Sequence, residues 1–124
     1  MPLLDHIDLR VPSLEEAAPF YRALLPALGF TVEEPVKDWL QFCAPGEGAT
    51  EFFGMTASAD FRPNETRIAF RAPTQEAVYA FRPFLESIGA RVIEGPELYD
   101  DAYHAIFWED PFGNRLELCY REHN

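Results

Sequence analysis

The chain has 124 residues, is 48% hydrophobic and 15% aromatic, and carries a net charge of −11. That length suits one domain with a modest core, that composition folds rather than staying disordered, and that charge argues against nucleic acid and anionic membranes as partners. Two cysteines, Cys43 and Cys119, are too few for a disulfide framework. No apolar run approaches the ~20 residues that span a bilayer, and MPLLDHIDLR lacks a basic stretch leading into an apolar one. A cytoplasmic protein with free thiols is expected.

Residues 4–11, LDHIDLRV, alternate between Ile7, Leu9 and Val11 on one side and His6, Asp8 and Arg10 on the other. This is a strand with one buried face. In the next segment Ser13 and Glu16 form a capping-box pattern, and Ala17, Phe20, Leu24 and Leu28 recur at helical spacing up to Gly29. Pro19 predicts a kink or a late start in that helix. Short strands are expected at residues 30–33, 39–43 and 50–55, with Gly46 and Gly48 in the turn between the last two. Residues 60–65, DFRPNE, read as a linker.

The same order then returns. TRIAFRA, residues 66–72, is a strand, and Thr74 caps a helix bearing Val78, Phe81, Leu85 and Ile88 that Gly89 ends. Pro83 is an irregularity in it. Strands at residues 91–93, 103–108 and 115–120 follow, the last two joined by the turn Asp110-Pro111-Phe112-Gly113-Asn114. The shift that lays Ile7 over Ile68 also lays Arg10 over Arg71, Pro12 over Pro73, Glu15 over Glu76, Phe20 over Phe81 and Leu24 over Leu85. The chain is therefore an internal repeat of two β-α-β-β-β modules. The first module takes about residues 1–59 and the second about residues 66–124, within one α+β domain. Each module has helix enough for one sheet face, so the other faces are expected to curve around a cleft.

The repeat makes His6 and Arg67 equivalent, near the start of each first strand, and Glu51 and Glu117 roughly equivalent, in each last strand. Alternation turns Ile7, Leu9, Ile68, Phe70, Leu116 and Leu118 toward the helices. His6, Arg67, Glu117 and Glu51 are then expected on the cleft side. In YHAIFW, residues 103–108, either His104, Ile106 and Trp108 or Tyr103, Ala105 and Phe107 face the cleft, and the pattern does not choose.

Three segments carry a resemblance: LDHIDLRVPSLEEAAPFYRALLPALGF, RIAFRAPTQEAVYAF and YHAIFWEDPFGNRLEL. With them the chain resembles a single-domain member of the vicinal oxygen chelate superfamily, which contains glyoxalases, extradiol dioxygenases, fosfomycin-resistance enzymes and bleomycin-resistance proteins. The most specific part is the D-P-x-G-N turn leading into an inward-facing Glu117. The resemblance implies two pseudo-twofold-related modules with mostly antiparallel sheets, a small-molecule ligand and a homodimer. In metal-dependent relatives the first strands begin with histidine and the second module ends in glutamate. Those positions map onto His6, Arg67 and Glu117, and glyoxalase-like relatives add a carboxylate near Glu51.

The resemblance thus implies a divalent metal, Zn, Fe, Mn or Ni, held by His6 and Glu117. Arg67 opposes it, because a guanidinium has no lone pair to give and would repel the ion. His104 is a candidate third ligand. Three readings follow. One is a metal-dependent lyase, isomerase or dioxygenase with Glu51, Glu117 or His6 as base. Another is a metal-free binding protein of the bleomycin-resistance kind, taking a cationic aromatic compound among Trp39, Tyr103, His104 and Trp108. The last is a metal-free enzyme in which Arg67 clamps an anionic group and His6 transfers a proton. Structural roles compete with each: a polar strand face for His6, a salt bridge to Arg67 for Glu117, plain core for the aromatics.

Overall fold

The computed structural model describes residues 2–122 and divides into two compact units, residues 1–62 and 63–124. The boundary falls inside the expected linker.

In the first unit, strand β1 (His6–Val11) leads into helix α1 (Leu14–Leu28), followed by strands β2 (Val32–Val36), β3 (Trp39–Cys43) and β4 (Phe52–Ala57). The sheet order is β1-β4-β3-β2, with β1 and β4 parallel and the other pairs antiparallel. The Ser13 hydroxyl accepts the Glu16 N–H at 3.2 Å and satisfies one of the free donors of the first turn. Gly29 ends the helix at φ 112, a left-handed conformation that suits glycine.

Pro19 does not delay or split α1, which runs through both Pro19 and Pro26. A proline forfeits one hydrogen bond and crowds the preceding turn. Here the apolar face outweighs that loss: Ala17, Phe20, Tyr21, Leu24 and Leu25 are all buried. Each large side chain withdrawn from water contributes roughly 1.5–3 kcal/mol, against about 3 kcal/mol for an interior proline. Tyr21 stacks on Phe53 of β4 at 6.3 Å, which fixes the helix face of this sheet.

The second unit repeats the order with one difference. Strand β5 (Arg67–Arg71) is followed by two short helices, α2 (Gln75–Tyr79) and α3 (Phe81–Ile88). Strands β6 (Arg91–Tyr99), β7 (Tyr103–Glu109) and β8 (Arg115–Arg121) complete it, in the order β5-β8-β7-β6. The break at Ala80 is the irregularity that Pro83 led us to expect. Pro83 lies in the first turn of α3, where a missing N–H costs least. Strand β6 is longer than residues 91–93, because it continues through Gly95 and Pro96 with register shifts between Arg91 and Glu94 and between Glu94 and Glu97. Phe81 packs on Trp108 at 5.6 Å, so the α2–α3 side is the helix face of this sheet.

The β7–β8 turn is held from within. Asp110, fully buried, accepts the N–H groups of Phe112 and Asn114 at 2.9 Å each and the Asn114 side-chain amide at 2.8 Å. Gly113 sits at φ 97, and a Cβ there would meet the Pro63 ring at 3.1 Å. Asp110→Ala leaves these donors unsatisfied and is expected to cost about 2–3 kcal/mol. Urea unfolding is the measurement, and a loss below about 0.5 kcal/mol would show that the turn holds without the carboxylate.

Candidate functional site

Because register partners share a sheet face, the pairings define the face left open by the helices in each unit. In the first unit it carries His6, Asp8 and Arg10 of β1, Phe52, Gly54 and Thr56 of β4, and Trp39, Gln41 and Cys43 of β3. The His6 ring stacks flat on Phe52, 4.4 Å between centroids, and its Nδ1–H donates to Asp5 at 2.7 Å. Asp8 accepts from Arg10 at 2.7 Å and from the Thr56 hydroxyl at 3.0 Å. Trp39 lies against Gly54, where a Cβ would come within 3.0 Å of the indole. The glycine is there because the indole occupies the side-chain space.

Register also corrects one equivalence. Ile7 pairs with Phe53 and Ile68 with Leu116, so the position matching Glu117 is Gly54. Glu51 lies before β4 begins, half-buried, with its backbone carbonyl accepting the Ala44 N–H. The carboxylate nearest the centre of the first open face is Asp8, the neighbour of Gly54.

In the second unit the open face carries Arg67, Ala69 and Arg71 of β5 and Arg115, Glu117, Cys119 and Arg121 of β8. Tyr103, Ala105, Phe107 and Glu109 of β7 share it. Of the two alternations open for YHAIFW, this is the Tyr103 one. His104 and Trp108 instead face the helices. His104, 4% exposed, donates from Nε2 to Glu122 at 2.9 Å and accepts the Tyr79 hydroxyl on Nδ1 at 3.0 Å. Trp108 is 2% exposed against Phe81. Neither side chain shares the face of Glu117, so His104 is not available beside it as a metal ligand. The helices reach far enough to cover Trp108, and bulk favours the indole over Phe107 for that core position.

Glu117 sits between Leu116 and Leu118 because β8 alternates, and its place on the open face answers why a carboxylate interrupts an apolar strand. It is 5% exposed, and its Oε2 has no hydrogen-bond partner among the described residues. Burial pushes its pKa up, against the opposing pull of Arg67, Arg121 and the Cys119 thiol. Burial also raises the Cys119 thiol, with Glu117 adding to it, which leaves that cysteine a poor nucleophile. Tyr99, on the same face, is raised by burial and then by Glu97, Glu94 and Glu117.

The structural salt bridge between Arg67 and Glu117 does not form among the described residues. The register partner of Arg67 is Arg115, and Glu117 lies opposite Ala69, two residues further along. The guanidinium rests instead over the Phe107 ring at 4.7 Å, and Phe107 is the cross-strand partner of Glu117. Arg121 lies likewise over Tyr103 at 4.1 Å. Both cations are positioned by aromatic faces, leaving their N–H forks for another acceptor. Arg121 was absent from the sequence reading, although the alternation of RLELCYR places Arg115, Glu117 and Arg121 on one face.

The fold is thus that of a two-module α+β protein with one open, polar sheet face per module. The chain belongs to the glyoxalase/bleomycin resistance protein/dioxygenase superfamily, whose family model matches residues 3–118. No curated protein matches it. Among solved structures it is similar to a glyoxalase/bleomycin resistance protein from Albidiferax ferrireducens, with 24% identity over 98% of this chain and 100% of that one at a TM-score of 0.79. It is also similar to a glyoxalase/bleomycin resistance protein/dioxygenase from Nocardioides (17% identity, 100% and 86% coverage, TM-score 0.72). A third is the fosfomycin resistance protein FosX of Listeria monocytogenes, solved with Mn(II) and a sulfate ion (17% identity, 98% and 92% coverage, TM-score 0.70). These similarities establish a shared fold.

The raised carboxyl of Glu117 has a consequence for stability. A group whose folded pKa exceeds its unfolded one stabilises the fold fully below the unfolded value, and that contribution is lost as pH rises through the folded value. Glu117→Gln is therefore expected to melt at a higher temperature than wild type at pH 7. The difference should vanish below about pH 4. Equal melting temperatures at pH 7 would mean that the arginines stabilise the carboxylate as much as burial penalises it.

Proposed function

We propose that the protein binds a small anionic molecule on the open face of its second sheet, with Arg67 as the anion-holding group and Glu117 as proton donor and acceptor. The observation that carries this reading is the Arg67 guanidinium laid over Phe107 beside a buried carboxyl with an unpartnered oxygen. A bound carboxylate or enolate would accept from the arginine fork. A carboxyl kept protonated further toward neutrality than an ordinary glutamate suits proton transfer to or from such a ligand. Tyr103 and Phe107 would line the ligand's flat faces.

The divalent metal that the family implies fits this chain poorly. The resemblance names Glu117 and His6 as its ligands, and Arg67 stands where metal-dependent relatives are expected to carry the second histidine. Within either unit, no three His, Cys, Asp or Glu side chains come together among the described residues. The charges nearest Glu117 are guanidinium groups, which oppose a second cation. The unpartnered Oε2 is the one feature that favours a metal. A cationic ligand of the bleomycin-resistance kind is likewise opposed on this face by Arg67, Arg115 and Arg121.

Calorimetry with pyruvate and butyrate, and separately with Zn, Mn and Ni, tests these readings. Arg67→Gln is expected to weaken carboxylate binding by about tenfold or more, and Arg67→His to create metal binding that the wild type lacks. Tight metal binding by the wild type, lost in His6→Ala, would overturn the metal-free reading.

A cytoplasmic homodimer completes the proposal. Two free cysteines suit a reducing compartment. Each sheet ends in edge strands, β1 and β2 or β5 and β6, that a second chain would cover. Light scattering at micromolar concentration should give twice the chain mass, with more than ~1,200 Å² buried in total. A monomer at that concentration would refute it.

A further inference from the structure

The second unit contains a half-open recess of about 190 Å³, lined by Arg67, Val92, Glu94, Phe107, Glu109 and Arg115 among others. Its charges are segregated. Arg67 and Arg115 are register partners across β5 and β8, so two like charges stand side by side on one face. That arrangement is unfavourable unless an anion joins them. Glu109 is the next partner in the row, across β7, and Glu94 pairs with Phe107 from β6. Among the residues that line the recess, the cations stand on β5 and β8 and the anions on β7 and β6, while Arg91 of β6, the register partner of Glu109, stays outside the lining and donates to the Pro111 carbonyl at 3.2 Å. No ion pair joins any of the four to another group among the described residues. Opposite charges placed around one hollow and left unpaired are complementary to a ligand that carries both.

The floor and rim agree with a short aliphatic body between those charges. Phe107 lines the recess, and Val92, 57% exposed, lines it too from the irregular start of β6. Val92 holds φ 50, a conformation that a β-branched residue rarely adopts. Such strain persists only where the surroundings impose it. The volume is below the roughly 300 Å³ at which sites for drug-sized ligands begin, which points to a molecule of a few heavy atoms.

We infer that the recess binds a small zwitterion, with its carboxylate between Arg67 and Arg115 and its ammonium group against Glu94 and Glu109. This rests on the anion-binding reading of Arg67 given above and adds the ligand class. Arg115, Glu94 and Glu109 become specificity-determining residues. The arginines would hold any small acid, and the glutamates would select those that also carry an amine.

Calorimetry on the full chain with glycine, β-alanine and γ-aminobutyrate, against acetate, propionate and butyrate, tests the inference. At least one amino acid should bind about tenfold or more tighter than its amine-free partner. Glu94→Gln and Glu109→Gln should each reduce that preference while leaving the affinity for the amine-free acid unchanged. Arg115→Gln should weaken both members of the pair. Thermal melts establish that each variant is folded, and the exposed Glu94 serves if the half-buried Glu109 does not tolerate change. Equal affinity within every pair, with binding still weakened in Arg67→Gln, overturns the zwitterion and leaves the anion site standing. A preference that survives both glutamine variants also overturns it. Absence of binding by all six compounds overturns both readings.

Discussion

Helices cover only one face of each four-stranded sheet, and this constraint decides what every strand residue can do. Strand side chains alternate, so register and helix placement together sort each residue into core or open face. Phe53 under Tyr21 and Trp108 under Phe81 mark the covered faces. Once they are placed, Glu117 has to emerge on the other side, with Phe107 on one flank and Ala69 on the other. The parallel pairing of β5 with β8 then sets Arg67 one step from that carboxylate along the sheet and not directly opposite it. A shift of one residue in β5 would turn Arg67, and one in β8 would turn Glu117, toward α2 and α3.

Electrostatics on the open face follow from this offset. Direct pairing of Arg67 with Glu117 would have given a structural salt bridge and a depressed carboxyl. The offset leaves Arg67 to be held by the Phe107 ring, close enough to act on Glu117 through space but without a hydrogen bond to it. Burial then dominates, and the carboxyl is raised. Arg121 over Tyr103 repeats the device at the far end of the same strand. Cations seated on aromatic rings keep their charge and direction while spending few of their N–H donors.

Much of this was legible in the sequence because two periodicities coincide. Alternation in LDHIDLRV and RIAFRA gave the strand faces, and the Ser13 and Thr74 caps with Gly29 and Gly89 bounded the helices. His6, Arg67 and Glu117 fell on the open faces as expected. What failed did so for nameable reasons. YHAIFW is apolar on both alternations, and only helix packing chooses between Trp108 and Phe107. Glu51 was matched to Glu117 by chain order, whereas the β1–β4 register makes Gly54 the match. The strand expected at residues 91–93 left out Glu94 to Tyr99, because β6 continues through Gly95 and Pro96. Pro19 was given too much weight against a fully apolar helix face.

The two modules share a scaffold and differ in what the centre of the open face carries. At the position of Glu117 the first module has Gly54, and the indole of Trp39 fills the space that a side chain would need. A carboxylate there would displace the tryptophan, so the first sheet is shaped for stacking, with His6 on Phe52 nearby. In the second module the small residue is Ala69, on the neighbouring strand, and the carboxylate stands over it. Repetition of one fold thus yields two unlike surfaces: one flat and aromatic with a single imidazole, the other lined by guanidinium and carboxyl groups. A fold that leaves one face of each sheet free can change the chemistry of either face by single substitutions, because the core on the opposite side holds the register regardless.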